Sequence, residues 1–232
     1  MTFKLETEEE LKEYIDKLGI EYKFSCFKEK DPEACHLLGD YQEAVKKDFE
    51  GAAKIFKSNC DERQHKKSCY KFATFSYLGK GCEANNHVSY DYYKKSCDLG
   101  YSNGCLNTGV MLSSPEKDPQ TGEPFIKTDY VTALTYLEKA CTAKVATACF
   151  LASGLYIKGA EGVPQDKVKA SQLAKDACDG GNIYACMNVS QMYKRGDGVA
   201  KDETLSTQYK EKAKELRDDA KKKQSLGLQQ YT

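Results

Sequence analysis

The stretches KACTAKVATACFLASGLYIKGAEGVPQD (residues 139–166) and DACDGGNIYACMNVSQMYKRGDGVAKD (residues 176–202) contain the unit on which the fold is built. In each stretch two cysteines lie eight residues apart, and a glycine follows the second cysteine by ten residues. The first cysteine ends one apolar helical pattern and the second begins another. A glycine just past such a pattern is the expected stop of a helix. Each stretch therefore predicts two helices joined by a short turn, with a cysteine on either side of the turn.

The same arrangement recurs along the chain. Ten of the eleven cysteines form five local pairs, nine residues apart in the first two pairs and eight in the others. The pairs are Cys26 with Cys35, Cys60 with Cys69, Cys97 with Cys105, Cys141 with Cys149, and Cys178 with Cys186. Their first members follow one another at steps of 34, 37, 44 and 37 residues, a period typical of helix-pair repeats. We therefore expect an all-α solenoid of about five such repeats.

Alignment on the cysteines shows which other positions are repeated. The position eight residues before the first cysteine and the position four after the second hold small residues, as expected where helices approach closely. These residues are Ala52, Ala133 and Ala170, and Ala73, Gly109, Ser153 and Ser190. The position six after the second cysteine holds a large apolar residue, Phe75, Met111, Leu155 or Met192. Three repeats then end with Gly79, Gly159 or Gly196, the predicted helix stops.

These positions predict one α-solenoid domain over residues 1–232. Thr7 and Glu10 form a predicted capping box for an N-terminal helix that ends at Gly19. The predicted segments are an N-terminal helix 5–19, a divergent first repeat 20–47, repeats 48–86, 87–127, 128–165 and 166–200, a capping helix 201–224 and a tail 225–232. The capping helix has Ala213 at the cysteine position, and 113–127 is a predicted surface loop.

Paired cysteines can bind zinc, form a redox site or form structural disulfides. Zinc sites usually combine two knuckles of the C-x-x-C kind, whereas the intervals here are longer and the chain has only three histidines. A thioredoxin-like site would show C-x-x-C beside a βαβ unit, and neither is present. A turn between antiparallel helices can bring these cysteines to the Cα separation of about 5.5 Å that a disulfide requires. We therefore expect five disulfides and no metal site.

The charge balance and the length of the apolar stretches limit which classes of partner the sequence predicts. Lysine plus arginine and aspartate plus glutamate both number 35, and the isoelectric point is near 6.8, so nothing predicts nucleic-acid binding. The longest uncharged apolar stretch, 145–157, has 13 residues, fewer than the roughly 18 to 20 of a membrane span. We expect a monomer that binds other proteins.

The cysteines and the N-terminus together predict a compartment. Five disulfides require oxidising surroundings, yet residues 1–19 are acidic and carry neither a secretory signal nor an Arg-rich transit peptide. The mitochondrial intermembrane space imports cysteine-rich helix pairs without a presequence and traps them by oxidation. We expect the protein to be located there.

The two opening stretches resemble the Sel1-like repeat family of α/α solenoids. They carry its A-C, Y-x-x-G and G-V-x-x-D landmarks, and the resemblance covers 48–200 well and the first repeat loosely. Within the family, SCFKEKDPEACHLLGDYQEAVKKDFEGAAKIFKSNCDERQHKKSCYK, residues 25–71, resembles mitochondrial assembly factors of respiratory complex IV. That resemblance implies a non-catalytic scaffold whose partners are complex IV assembly factors or subunits and, during import, the oxidative-import receptor. Tyr22, Phe24 and Phe27 resemble an apolar docking signal for that receptor; the alternative is a core of the first helix pair.

The resemblance also implies two other functions. Haem binding and thiol–disulfide reductase activity are associated with these assembly factors, which would give the protein a role in copper or haem delivery to complex IV. The candidate axial ligands are His65 and Met192, and reductase chemistry would use one of the two nine-residue pairs. Cysteine-rich bacterial relatives suggest a β-lactam hydrolase, but the two S-x-x-K motifs, which begin at Ser25 and Ser68, are not accompanied by K-T-G or S-D-N. Cys82 is the predicted free thiol, either inert or reactive.

Alkylation tests the cysteine assignment. Native protein treated with iodoacetamide should gain one adduct, at Cys82, because the other ten sulfurs are in disulfides. Protein reduced and denatured first should gain eleven. Intact-mass measurement gives both numbers, and several adducts on the native protein would contradict the predicted pairing.

Overall fold

The structure, a computed structural model, describes residues 7–114, 117 and 122–229, with side chains as far as Lys223 in the last helix. Within these residues eleven α-helices follow one another, and the only β pairings are two isolated bridges. The helices are α1 Glu8–Phe24, α2 Pro32–Tyr41, α3 Phe49–Arg63, α4 Lys66–Leu78, α5 Asn86–Asp98, α6 Ser102–Ser113, α7 Tyr130–Thr142, α8 Ala146–Lys158, α9 Lys167–Asp179, α10 Ile183–Arg195 and α11 Glu203–Gln229. The expected all-α repeat fold is confirmed.

The chain divides into two compact units, Met1–Gly104 and Cys105–Thr232. Within each unit the helices pack mainly against their neighbours in sequence. The most extensive contacts join the second helix of a cysteine-linked pair to the helix that follows it: α4 with α5, α8 with α9, and α10 with α11. Packing within a cysteine-linked pair, such as α3 with α4, is less extensive. The prediction of a single domain over 1–232 stays a prediction.

The small residues of the repeat lie where helices touch. Ala52, Ala133, Ala170 and Ala73 are completely buried. A methyl group on Gly109 would come within 2.7 Å of the Leu137 side chain. The Ser153 hydroxyl donates to the Ala170 carbonyl at 2.8 Å, and Ser190 donates to the Ser206 carbonyl at the same distance. The serines therefore connect α8 to α9 and α10 to α11 across the close approaches that the repeat predicted.

Positive backbone φ angles end the helices and turn the chain. Gly79, Gly159 and Gly196 cap α4, α8 and α10 at φ 66°, 73° and 77°, so the predicted glycine stops are confirmed. One residue with positive φ also lies between the two cysteines of each pair: Lys30, Gln64, Gly100, Lys144 or Gly181. That conformation costs a non-glycine residue about 1 kcal/mol. The short turn that each disulfide spans therefore requires it.

The prediction that Gly19 ends the first helix is wrong. The capping box of Thr7 and Glu10 is present, but α1 continues through Gly19 to Phe24. A Cβ at Gly19 would overlap the ring of Tyr41 in α2, so this glycine permits close packing and does not stop the helix. Helix α1 is consequently the first helix of the first repeat, so the predicted segments 5–19 and 20–47 do not divide at an element boundary.

Two π-helical turns, Ser25–Glu29 and Gln42–Lys46, make the first repeat divergent. Each follows an α-helix directly and ends at a lysine in the left-handed conformation, Lys30 at φ 58° and Lys47 at φ 57°. Cys26 lies in the first of these turns. The wider π turn accommodates part of the nine-residue interval of this cysteine pair.

The predicted boundary between capping helix 201–224 and tail 225–232 is also displaced. Helix α11 runs through Gln229, and residues 230–232 lie outside the described residues. The stretch contains no proline and a single glycine, Gly227, which a helix tolerates at a cost of about 1 kcal/mol. Ala213 is buried at the position that holds cysteine in the repeats. Of the predicted loop 113–127, residues 115, 116 and 118–121 lie outside the described part of the chain.

A comparison of Gly198 with Gly181 distinguishes the cost of steric crowding from the cost of backbone strain. Both have positive φ, 71° and 87°. A Cβ at Gly198 would overlap the Lys167 carbonyl, whereas one at Gly181 would meet no atom within 4 Å. We expect Gly181→Ala to cost about 1 kcal/mol and Gly198→Ala about 3 kcal/mol or more.

Urea unfolding monitored by circular dichroism measures both free energies of unfolding. Equal losses of unfolding free energy in the two variants would mean that the close approach of Gly198 to α9 adds no steric cost to the substitution.

Candidate functional site

The structure brings the cysteines of four predicted pairs together. The Cα–Cα separations are 4.5 Å for Cys26 and Cys35, 4.8 Å for Cys60 and Cys69, 4.7 Å for Cys141 and Cys149, and 4.6 Å for Cys178 and Cys186. Cys97 and Cys105 are also disulfide-bonded. The separations are shorter than the expected value of about 5.5 Å but within the range of about 4.4 to 6.8 Å that disulfides adopt. The turn between two helices therefore brings these cysteines within disulfide distance, as the spacing predicted.

The ten paired cysteines are inaccessible. All of them are buried, the most exposed being Cys141 at 7%, and Cys69 and Cys186 have no exposed surface. Thiol–disulfide exchange requires a thiolate to reach one sulfur of a disulfide. Burial therefore shields these disulfides from exchange in the folded protein, including the two nine-residue pairs that reductase chemistry would use.

His65 belongs to a polar cluster buried beside the second disulfide. It precedes α4 and its Nδ1 accepts a hydrogen bond from the backbone N–H of Ser68 at 3.4 Å, which makes it the N-cap. Its Nε2 lies 3.0 Å from Glu33 Oε2, so this nitrogen carries a proton because a carboxylate only accepts. Its Nδ1 also lies 3.0 Å from the Ser68 hydroxyl. Both ring nitrogens of His65 are thus occupied.

Ser68 in α4 connects His36 of α2, Asn59 of α3 and His65, the N-cap of α4. Its hydroxyl oxygen accepts from Asn59 Nδ2 at 2.8 Å and lies 3.1 Å from His36 Nδ1. Asn59 also donates to the Pro32 carbonyl at 2.9 Å. With His65 protonated on Nε2, Ser68 donates to His65 and accepts from His36 and Asn59. This assignment from the partners lets α2, α3 and α4 share one hydrogen-bond network.

His36 is the titratable member of this network. The residue is 7% exposed, and its ring lies 5.0 Å from that of His65 and 5.6 Å from that of Phe56. Burial lowers the pKa of His36 to about 4, against the opposing effect of Asp40. The ring is therefore neutral near pH 7 and donates from Nδ1 as a structural hydrogen-bonding group.

Glu33, His65 and Ser68 have the connectivity of a catalytic triad but cannot act as one. A nucleophilic serine must reach a substrate, and Ser68 is completely buried. The S-x-x-K lysine is committed as well: Lys71 Nζ lies 2.7 Å from Glu43 and 3.0 Å from Asp40. Burial opposes its charge, but hydrogen bonds to these carboxylates raise the pKa of Lys71. A lysine held as a cation is not a base, so nothing here supports the β-lactam hydrolase alternative.

Met192 lies in a groove of the second unit. The groove has a volume of about 510 Å³ and runs between α8 and α10. Met192 itself is 6% exposed and forms part of the floor. The lining includes Gly154 and Lys158 from α8 and Gln191 and Arg195 from α10. This open groove, with polar and charged side chains along its rim, is the candidate binding site of the second unit.

The two predicted ligands, His65 and Met192, do not fit haem as an axial pair. An axial ligand must offer a free nitrogen or sulfur lone pair, and both nitrogens of His65 are engaged by Glu33 and Ser68. Met192 lines the groove, but the groove lining includes no histidine that could serve as a second ligand. The two candidates therefore do not define an axial pair.

Cys82 is the free cysteine. It is half-buried, packs against the aromatic cluster of Phe56, Phe72 and Phe75, and its sulfur lies 3.9 Å from Ser76 Oγ. It also lines a shallow groove of about 350 Å³ beside Phe72. These contacts are those of a small apolar side chain at the edge of a core.

The structure separates the three aromatic residues around Cys26. Tyr22 packs against the buried cluster of Cys26, Cys35 and Leu38. Phe24 and Phe27 are 58% and 57% exposed. The core interpretation therefore holds for Tyr22, whereas Phe24 and Phe27 remain accessible on the surface of the first repeat.

Sequence reasoning missed the network around Ser68, although the repeat alignment contains its signal. The residues just before the two cysteines are alanines in the last two repeats: Ala140, Ala148, Ala177 and Ala185, all completely buried. In the second repeat Asn59 and Ser68 occupy these positions, also completely buried. Polar residues at buried alanine positions must find hydrogen-bond partners. That requirement could have directed attention to His36 and His65.

The Sel1 repeat model matches residues 32–58, 66–101, 120–145, 146–182 and 183–218, more than half of the chain. The chain therefore belongs to the Sel1 repeat family. The matches 66–101 and 146–182 each cover the second helix of one cysteine-linked pair and the first helix of the next, which are among the helices that pack most extensively.

Relatives match nearly the whole chain. A cytochrome c oxidase assembly factor 7 homolog from Drosophila melanogaster is 42% identical over 99% of this chain and 98% of its own length. Cytochrome c oxidase assembly factor 7 from Xenopus tropicalis is 40% identical over 91% of each chain. The protein of that name from Homo sapiens is 34% identical over 97% of this chain and 95% of its own. Within the Sel1 repeat family, these assembly factors are the group to which the chain is similar along its length.

Solved structures share the fold. A Sel1 repeat protein from Oxalobacter formigenes has a TM-score of 0.63 and 22% identity, covering 78% of this chain and 68% of that one. The Escherichia coli antigen c5321 has a TM-score of 0.53 and 19% identity, covering 83% of this chain and 47% of that one. Separately, none of the described helices is both long and apolar enough to cross a membrane.

Buried His36 makes the stability of the fold depend on pH. Its folded pKa of about 4 lies below the ordinary value of 6.5, so the unfolded chain takes up the proton first. The contribution of neutral His36 to the free energy of unfolding is fully present above pH 6.5. It falls towards pH 4 by at most about 1.4 kcal/mol per pH unit.

Urea unfolding at pH 7.5, 6.0 and 5.0 measures this loss in the wild type and in His36→Asn, which retains a donor but does not titrate. The difference in free energy of unfolding between the two proteins should shrink as the pH falls, because only the wild type loses the contribution of His36. The carboxylates are common to both proteins, so their titration cancels in the comparison. A difference that does not change with pH would contradict the assignment.

Proposed function

We propose that the protein is a non-catalytic, disulfide-stabilised repeat scaffold of the mitochondrial intermembrane space that acts in assembly of respiratory complex IV by binding other proteins. The observation that carries this proposal is the match over 99% of the chain to a protein named as a cytochrome c oxidase assembly factor. Matches to further proteins of that name from vertebrates support it.

The chemistry of the described residues supports a scaffold. The ten paired cysteines are buried, Ser68 is inaccessible, and Lys71 is held by two carboxylates. Helix-pair arrays present extended surfaces to partner proteins, and the groove beside Met192 is one such surface. The partners proposed are subunits or other assembly factors of complex IV.

The disulfides support the proposed location. Disulfides persist in oxidising compartments, and ten disulfide-bonded cysteines in a chain of this length favour a protein that is oxidised where it acts. Exposed Phe24 and Phe27 flank Cys26, the first cysteine of the chain. These two side chains are not part of the folded core, so they are available for an apolar contact with the oxidative-import receptor.

Fractionated mitochondria test the location. Protease should leave the protein intact in whole mitochondria and degrade it once the outer membrane is ruptured by swelling. A soluble matrix protein provides the control that stays protected after swelling. Protection of this protein in swollen mitochondria would contradict the intermembrane-space proposal.

Gene disruption and rescue test the function. Cells lacking the protein should lose assembled complex IV on native gels and cytochrome c oxidase activity, while complex III stays unchanged. Re-expression of the wild type should restore both. Normal complex IV in the disrupted cells would refute the assembly role.

A further inference from the structure

The groove between α8 and α10 is built from equivalent positions of two successive repeats. Lys158 and Arg195 each lie nine residues after the second cysteine of their repeat, and Gly154 and Gln191 each lie five after it. All four residues line the groove and are exposed. The second and third repeats have Leu78 and Ser114 at the basic position. The paired cations are therefore particular to the last two repeats.

Gly154 has no packing reason to be glycine. It lies in the interior of α8, where glycine costs about 1 kcal/mol relative to alanine. A methyl group there would meet no atom within 4 Å. At Gly104 and Gly109, by contrast, added methyl groups would come within 2.8 and 2.7 Å of neighbouring atoms. Glycine on an open groove wall leaves room for the main chain of a ligand to approach.

The charges of the groove select an anionic ligand. Lys158 and Arg195 form no ion pair with the described residues, whereas Lys167 is paired with Asp197 at 2.7 Å. Three cations against one carboxylate leave the groove positive. Cations in the last turn of a helix also stabilise it, so the test must separate that role from ligand binding.

The amide side chains and Met192 suit a polypeptide. Asn188 and Gln191 line the groove, and neither side chain is hydrogen-bonded to the described residues. An amide side chain both donates and accepts, which matches the main chain of an extended peptide. Met192 supplies a buried thioether at the floor, a group that adapts to varied side chains.

We infer that this groove binds an extended acidic segment of a partner protein, with its main chain passing Gly154, its carboxylates at Lys158 and Arg195, and its backbone amides at Asn188 and Gln191. The inference rests on the proposed scaffold function and specifies the chemistry of the partner.

The binding test uses the full-length oxidised protein and a fluorescein-labelled peptide of alternating serine and glutamate, about twelve residues long. Matched peptides replace every glutamate with glutamine or lysine. Fluorescence anisotropy at low salt should show binding of the glutamate peptide at least about tenfold tighter than of the glutamine peptide, and no binding of the lysine peptide. Equal affinity for the glutamate and glutamine peptides, or no binding of either, would overturn the inference.

Variants locate the site and separate the helix-terminus effect. Arg195→Gln and Lys158→Gln should each weaken binding about threefold to fivefold, as expected for exposed charge pairs. The control is Lys194→Gln, because Lys194 lies in the same last turn of α10 but outside the groove. Equal weakening by Lys194→Gln and Arg195→Gln would mean diffuse attraction, and would overturn the site.

Gly154→Ala provides the sharper variant, because it cannot fail by unfolding the helix. It should raise the Tm and yet weaken peptide binding at least about threefold, since alanine favours the helix and fills the approach path. A raised Tm with unchanged affinity would overturn the passage of the ligand past Gly154.

The outcomes distinguish this inference from the proposed function. If the wild type restores complex IV in disrupted cells but binds no acidic peptide, the groove inference fails and the assembly role stands. If the peptide binds as described but complex IV does not require the protein, the proposed function fails alone.

Discussion

The structure depends on one local constraint, the disulfide that closes the turn between two helices. Each disulfide spans eight or nine residues and contributes about 2.6 kcal/mol in the chain-entropy model. The helices that it joins are not the ones that pack most extensively, since α4 packs more on α5 than on α3. From α4 onwards, packing is therefore most extensive between the second helix of a pair and the helix that follows it, and each disulfide reinforces the less extensive contact within its pair. Loss of a disulfide would leave the two helices of that pair held together by the less extensive packing alone.

Burial of the disulfides also fixes the residues beside them. In the last two repeats the neighbouring positions are alanines without exposed surface, which is what a helix pair held at a Cα separation of 4.6 to 4.7 Å permits. Asn59 and Ser68 fit the same space but bring polar atoms that need partners. His36 and His65 supply them, and Glu33 completes the network at the surface. Hydrogen bonds with the connectivity of a hydrolase triad thus arise from packing requirements. Because Ser68 is buried, no substrate can reach it.

The repeat positions were predictable because they depend on short-range geometry. Cysteines eight or nine residues apart, small residues at helix contacts and glycine at helix ends each follow from one or two turns of chain. The prediction at Gly19 was wrong because the role of this residue depends on Tyr41, 22 residues away in sequence. The network around Ser68 involves His36, 32 residues distant, and the groove requires α8 and α10 to be placed side by side. Such contacts lie beyond a single repeat, so the spacing of one repeat does not encode them.

Gly154 shows how a functional position can be recognised in a repeat protein. Repeats share one packing template, so a residue that costs stability needs a reason within that template. Gly109 has such a reason in the Leu137 side chain, and Gly198 has one in the backbone of α9. Gly154 has none, and it lies on the wall of the groove that also holds Lys158 and Arg195 without ion-pair partners among the described residues. Glycine destabilises an exposed helix interior at any such position. The packing of the protein does not require glycine at position 154. Its presence there is explained by a ligand backbone that passes close to this wall of the groove.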